Sequence, residues 1–218
     1  IAKVKQILAV AANKGGVGKS TIACNLAINL ANRGYKIALV DADIYGPSVP
    51  LLMGLENARP EVVNNLIRPL YAYGVKVMSI GFIISENSAG IWRGPMVTKI
   101  LFQLFHQVLW AENDEEEIDL MIIDMPPGTG DVYLSIGESL AIDAMMLVST
   151  PQQLAVADLK KSLDCCQKLN IPIVGIVENM SFLPIFTKAK LEPVSSKINW
   201  LKKIIKFNFD IGKSNLKA

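Results

Sequence analysis

Apolar and polar positions along the chain alternate between two patterns. Short apolar runs, bounded by Gly, Pro or charged residues, recur near 5–12, 36–41, 75–81, 119–124, 143–149 and 171–178. Each has the length of a strand buried on both faces. Between them, at about 19–33, 95–111, 131–141 and 153–169, apolar residues recur at spacings of three and four, the pattern of helices with one buried face. Strands and helices alternating in this way predict an α/β fold, a mostly parallel sheet flanked by helices. No internal repeat is visible.

Composition narrows the picture. At 218 residues the chain holds one large domain, or one domain and an appendage. With 51% hydrophobic and 19% charged residues it is neither collagen-like nor disordered. The longest apolar runs fall well short of the roughly 18 residues of a spanning helix. The first run leads into Asn13 and Lys14, unlike a secretory signal, and the chain starts at Ile1, as a processed product or fragment would. The three cysteines, Cys24, Cys165 and Cys166, make no disulfide framework and fit a reducing compartment, so a cytoplasmic location is expected. Charge is uneven: residues 1–184 carry 14 basic and 18 acidic side chains, whereas 185–218 carry 8 lysines and 2 acids. The expected division is therefore a domain at 1–184 and an atypical basic tail at 185–218, either an amphipathic helix or disordered.

Three motifs carry chemistry. Asn13-Lys14-Gly15-Gly16-Val17-Gly18-Lys19-Ser20-Thr21 joins the first strand to the first helix, the context of a phosphate-binding loop. Its glycines let backbone N–H groups turn toward phosphates, Lys19 supplies a point charge, the helix dipole adds positive potential, and Ser20 can ligate Mg²⁺. Asn13 stands where such loops usually begin with glycine. Asp41-Ala42-Asp43 closes the second strand and faces the crevice at the sheet's carboxyl edge, where a carboxylate can orient water. Leu120 to Asp124 is an apolar strand ending in the carboxylate expected to hold Mg²⁺ through water. The Gly- and Pro-rich segments 43–50 and 126–131 are the expected switch loops. Asp131 is expected to cap the next helix, His106 to sit structurally on an apolar helical face, and the acidic run 112–117 to be a solvated loop.

The chain resembles the deviant phosphate-loop (deviant Walker A) ATPases, which include ParA, MinD, the nitrogenase iron protein and the Mrp/ApbC iron-sulfur carriers. Lys14 marks that superfamily. The blocks KGGVGKST, DADIYGPS, WRGPMV, DMPPGTGD, STPQ and VENMS, in this order, are similar to the Mrp/ApbC branch up to about residue 182. The resemblance implies an ATP hydrolase acting as a homodimer, with ATP and Mg²⁺ held by Gly15, Gly16, Val17, Gly18, Lys19, Ser20 and Thr21. It further implies that Lys14 reaches the partner's nucleotide, Asp43 positions the attacking water, Asp124 is the Walker B acid and Asn179 contacts adenine. The implied role is assembly of [4Fe-4S] clusters and their transfer to apoproteins, with no nucleic acid and no membrane partner expected.

The resemblance breaks after Phe182. The family carries a Cys-x-x-Cys pair there, two subunits sharing one cluster, whereas this sequence reads Leu183-Pro184-Ile185-Phe186-Thr187-Lys188. The family's cluster ligands are thus missing at that site. Cys165 and Cys166, adjacent on a helix and pointing about 100° apart, are expected to pack, as is Cys24. The family's closing strand and helices are also absent from the pattern, so the fold is expected to lack its last strand. A shifted or truncated reading frame is the preferred account of the tail. On a helical wheel, though, Trp200, Leu201, Ile204, Ile205 and Phe207 oppose Asn199, Lys202, Lys203 and Lys206. Such a face suits packing on the sheet or, as in a MinD- or ParA-like positional switch acting at membrane or DNA, an anionic surface. That switch is the alternative function.

Overall fold

All five residues of β1 (Ile7–Ala11) are buried, as are all of β2 (Ile37–Asp41) and β7 (Leu120–Asp124). A computed structural model describes residues 1, 3–83, 94–113 and 116–181 of the protein. The other strands are β3 (Val62–Val63), β4 (Leu66–Ile67), β5 (Leu70–Ala72), β6 (Val75–Ser79), β8 (Ala144–Ser149) and β9 (Ile173–Glu178). The helices are α1 (Lys19–Asn32), α2 (Val49–Leu52), α3 (Ile80–Ile83), α4 (Gly94–His106), α5 (Asp131–Ser139) and α6 (Gln153–Lys168).

Seven strands form one sheet in the order β5-β6-β2-β7-β1-β8-β9. Every neighbouring pair is parallel except β5 with β6. Parallel strands need crossovers, and α1 and α6 supply two of them while covering the sheet. This is the α/β architecture the alternating pattern predicts. Among the described strands, β9 forms one edge of the sheet, and five of its six residues are half-buried.

Departures from the predicted elements have local causes. The strands β3, β4 and β5 are two or three residues long, too short to show a period. Helix α4 stops at His106 because the chain then pairs with β4: Ile67 N–H donates to Gln107 O at 2.8 Å and Leu109 N–H to Ile67 O at 2.9 Å. Two site expectations need correction. His106 is exposed and stacked on the half-exposed ring of Phe102, while Val97, Ile100, Leu101, Leu104 and Phe105 form the buried face of α4. Asp131 does not cap α5: Gly130, in an extended conformation, holds that position, and Asp131 lies in the first turn, where its charge meets the positive helix end. The acidic run is only partly a solvated loop, since Glu116 pairs with Lys76 at 2.6 Å and accepts the Glu112 N–H at 2.8 Å. Asp114, Glu115, Trp92, Arg93 and the whole of 182–218, with the expected tail helix, lie outside the described residues.

Register fixes where the chemistry gathers. Asp124 is the lateral partner of Val10 on one side and of Asp41 on the other, so β1, β2 and β7 end at one level. The loops that follow them open from a single edge of the sheet. Among the described residues, no helix is long and apolar enough to cross a membrane.

Candidate functional site

The loop after β1 enters α1 through Gly18, whose φ of 89° and ψ of 21° are left-handed. Glycine is required there twice over, because a side chain would also run into the Asn179 amide. No side chain caps α1. Its first-turn N–H groups therefore face the loop without intrahelical acceptors, an arrangement suited to an anion.

Lys19, the first residue of α1, is buried and donates to Asp124 Oδ1 at 2.6 Å and to Ser20 Oγ at 3.3 Å. Asp43 Oδ2 lies 3.9 Å from the same ammonium. Asp124 is fully buried, and its Oδ2 has no hydrogen-bond partner. Burial pushes its carboxyl above the usual range, opposed by the Lys19 charge and hydrogen bond and by the nearby Ser20 hydroxyl. An orphaned buried carboxylate oxygen with a serine hydroxyl beside it fits a hydrated divalent cation. Among the described residues no group of three or more His, Cys, Asp or Glu is placed to hold a metal ion by itself.

Asp43 Oδ1 closes a tight turn by accepting Tyr45 N–H at 3.1 Å and Gly46 N–H at 3.3 Å. Asp41, also buried, accepts Asp43 N–H at 3.1 Å on Oδ1, and Val49 N–H at 3.1 Å and the Ser79 hydroxyl at 3.0 Å on Oδ2. Its carboxyl is pushed up to about 7, first by burial and then by the Asp124 charge, against the pull of those three donors.

A crevice of about 440 Å³ opens above these groups. Lys14, Gly15, Gly16, Gly18, Lys19, Ser20, Thr21 and Asp43 line it together with Leu51, Leu52, Pro127 and Met180. Asp124 sits behind Lys19, and the Val17 side chain is buried. Asn179 does not line the crevice: its amide donates to Val17 O at 2.9 Å, and its backbone N–H donates to Ser149 O at 2.8 Å. Lys14 reaches sideways to Gln152 Oε1 at 2.8 Å.

Sequence patterns single out the loop, Asp43 and Asp124, which the fold brings together, but not the tie from Asp41 to Ser79, since a serine ending an apolar strand carries no signal of its partner. Nor do they show Asn179 bracing the loop. All three cysteines are buried. Burial pushes the Cys24 thiol up to about 12, aided by the Asp124 and Asp41 charges, pushes Cys166 up to about 11 and raises Cys165 as well.

A family model described as "ParA: NUBPL iron-transfer P-loop NTPase" matches residues 3–199. The iron-sulfur cluster carrier protein of Rickettsia conorii is 46% identical over 183 residues, 84% of this chain and 56% of that protein. The protein of the same name from Escherichia coli K12 is 43% identical over 179 residues, 82% of this chain and 47% of its own length. The chain thus spans about half the length of the curated relatives it matches. Among solved structures, a nucleotide-binding protein in complex with ADP from Archaeoglobus fulgidus superposes with a TM-score of 0.75 at 31% identity, covering 92% of this chain and 76% of that one. The cell division ATPase MinD of Pyrococcus furiosus shares the fold, with a TM-score of 0.57 at 24% identity over 79% of this chain and 71% of its own.

Proposed function

The chain belongs to the ParA-type NUBPL iron-transfer P-loop NTPases, and from that premise we propose that it binds and hydrolyses Mg-ATP as a homodimer in the service of iron-sulfur cluster assembly. The observation that carries this reading is the convergence of Lys19, Ser20, Asp43 and Asp124 at one crevice of about 440 Å³. In the proposed cycle the triphosphate lies along the loop. Its β and γ oxygens draw the Lys19 ammonium away from Asp124, and the α1 N–H groups receive the remaining charge. Mg²⁺, held by Ser20 and through water by Asp124, would neutralise phosphate charge. Asp43 orients the attacking water, whose oxygen bonds to the γ phosphorus as the bridge to ADP breaks.

Dimerisation is supported by what surrounds the crevice. Leu51, Leu52 and Met180 line its mouth and are exposed, as is Tyr45 in the adjoining turn. Large apolar side chains on the rim of a charged site suit burial against a second subunit. Lys14, at the wall of the crevice and bonded at the surface to Gln152, can exchange that partner for the other subunit's phosphates. The cluster and the apoproteins that receive it are the cargo and partners of the family role. We assign the cluster ligands to neither the buried Cys24 nor Cys165 and Cys166, whose raised thiol pKa values disfavour the thiolate. The division into an ATPase domain at 1–184 and a separate basic tail is retained as part of this proposal. Family membership favours the carrier over a positional switch, because the likeness to MinD is one of fold.

The test is phosphate release from ATP by the full chain, with and without Mg²⁺. Asp43→Asn should reduce turnover by about tenfold or more with Mg-ATP affinity little changed. Equal turnover in that variant would overturn the role of Asp43.

A further inference from the structure

Asp41 touches neither the crevice nor Lys19, yet no carboxylate among the described residues organises more of the surrounding backbone. Its Oδ1 takes Asp43 N–H at one end of the segment 43–49, and its Oδ2 takes Val49 N–H at the other. The same Oδ2 takes the hydroxyl of Ser79, the fully buried last residue of β6. Ser79 Oγ in turn accepts the Gly81 N–H at 3.0 Å. Gly81 packs so close to Pro47 that a β-carbon there would lie 3.1 Å from the proline ring. The segment is therefore pinned at both ends by one side chain and pressed in the middle against the neighbouring strand's exit. Inside this ring Asp43 makes its own smaller turn.

We propose that Asp41 is a positioning residue: it holds segment 43–49 against β6 so that Asp43 points its second carboxylate oxygen into the crevice. The inference rests on the reading of Asp43 as the residue that orients water. Above about pH 7, where Asp41 is ionised, its two oxygens accept all three donors, whereas an amide would turn an N–H₂ toward at least one of them. A buried carboxylate is costly unless its lone pairs are met, and here both oxygens are. A strand-end carboxylate with a merely structural task would have no bearing on turnover separate from stability.

Two measurements on the full chain decide it. Hydrogen exchange without nucleotide should show the amides of Asp43 and Val49 losing about tenfold or more of their protection in Asp41→Asn, with β1 and β7 amides unchanged. Turnover in that variant should fall by about tenfold or more while the Kd for a fluorescent ATP analogue stays within about threefold. Unchanged protection across 43–49, or unchanged turnover, overturns the proposal. If Asp41→Asn does not fold, Ser79→Ala, which keeps the carboxylate and deletes one donor, takes its place. It should loosen Val49 selectively and lower turnover in part, and no change in either would overturn the proposal. Should the parent chain hydrolyse no ATP, the ATPase reading fails by itself, and exchange alone decides whether Asp41 holds the segment.

Discussion

Lys14 Nζ donates to Gln152 Oε1 at 2.8 Å, so the phosphate loop is tied to the residue that precedes α6. Both side chains are at the surface, and a hydrogen bond of this kind is worth only about 0.5–1.5 kcal/mol net. The lysine can therefore leave it for a stronger anionic partner at little cost. The loop that carries Gln152 runs Ser149-Thr150-Pro151, so the lysine's resting position is set by the end of β8.

Lys14→Ala is expected to keep nucleotide binding and lose both hydrolysis and nucleotide-driven association. Sedimentation velocity with a non-hydrolysable ATP analogue should show the parent shifting from monomer to dimer and the variant remaining a monomer. A parent that stays monomeric under saturating analogue would contradict the in-trans role of Lys14.

The buried Lys19–Asp124 pair makes a stability prediction independent of turnover. Lys19→Met leaves the Asp124 carboxylate buried without its cation, at a cost of about 3–5 kcal/mol in the nucleotide-free protein. Replacing both, as Lys19→Met with Asp124→Leu, should recover most of that loss, because an apolar pair of similar size has no charge to desolvate. Urea unfolding measures each. A single variant as stable as the parent would contradict the geometry.

Asp41 gives the protein a pH dependence of defined sign. Its carboxyl is pushed up to about 7 in the native state against an ordinary value of 3.8, burial and the facing Asp124 charge being the causes. Between those values the native protein keeps a proton that the unfolded chain has lost. The contribution to stability is full below about pH 4 and is lost as the pH rises through about 7. Asp124 shifts in the same direction. Thermal unfolding without nucleotide should therefore show the parent losing stability relative to Asp41→Asn as pH rises across this window. A relative gain by the parent would contradict the assignment.

The sequence makes the loop at 13–21 and the strand ending in Asp124 legible because each joins a strong period to a chemically unusual residue string. The order of motifs assigns Lys19 to phosphate and Asp124 to Mg²⁺, but the direct bond between them is seen only in the fold. What the sequence hides are relationships that depend on register: Asp41 with Ser79, 38 positions apart, and Asn179 with Val17, 162 apart. Neither partner is distinctive in its own segment. His106 departs from its expected place for a related reason. Helical spacing beside Phe105 suggests a buried face, but the wheel turns by about 100° at each residue and carries His106 to the exposed side next to Phe102. Asp131 shows the limit of capping signals, since a glycine with extended backbone before it can take the cap without any side-chain bond.

The three cysteines of this sequence should not hold a bridging cluster. Cys24, Cys165 and Cys166 are buried, and the Cys166 thiol donates to Met145 Sδ at 3.2 Å beside the Tyr133 hydroxyl. Anaerobic reconstitution with iron counting and visible absorption should find no stable [4Fe-4S] species. About four irons per dimer, lost on changing Cys165 and Cys166 to Ser, would contradict this.

The proposed function depends above all on whether the crevice above Lys19 takes the phosphates of Mg-ATP. Titration calorimetry of the parent and of Lys19→Ala, after circular dichroism shows both to be folded, decides this. Saturable Mg-dependent ATP binding is expected for the parent, weakened by about tenfold or more in Lys19→Ala, since charge-assisted bonds to phosphate are lost. Equal ATP affinity in the two folded proteins would contradict it.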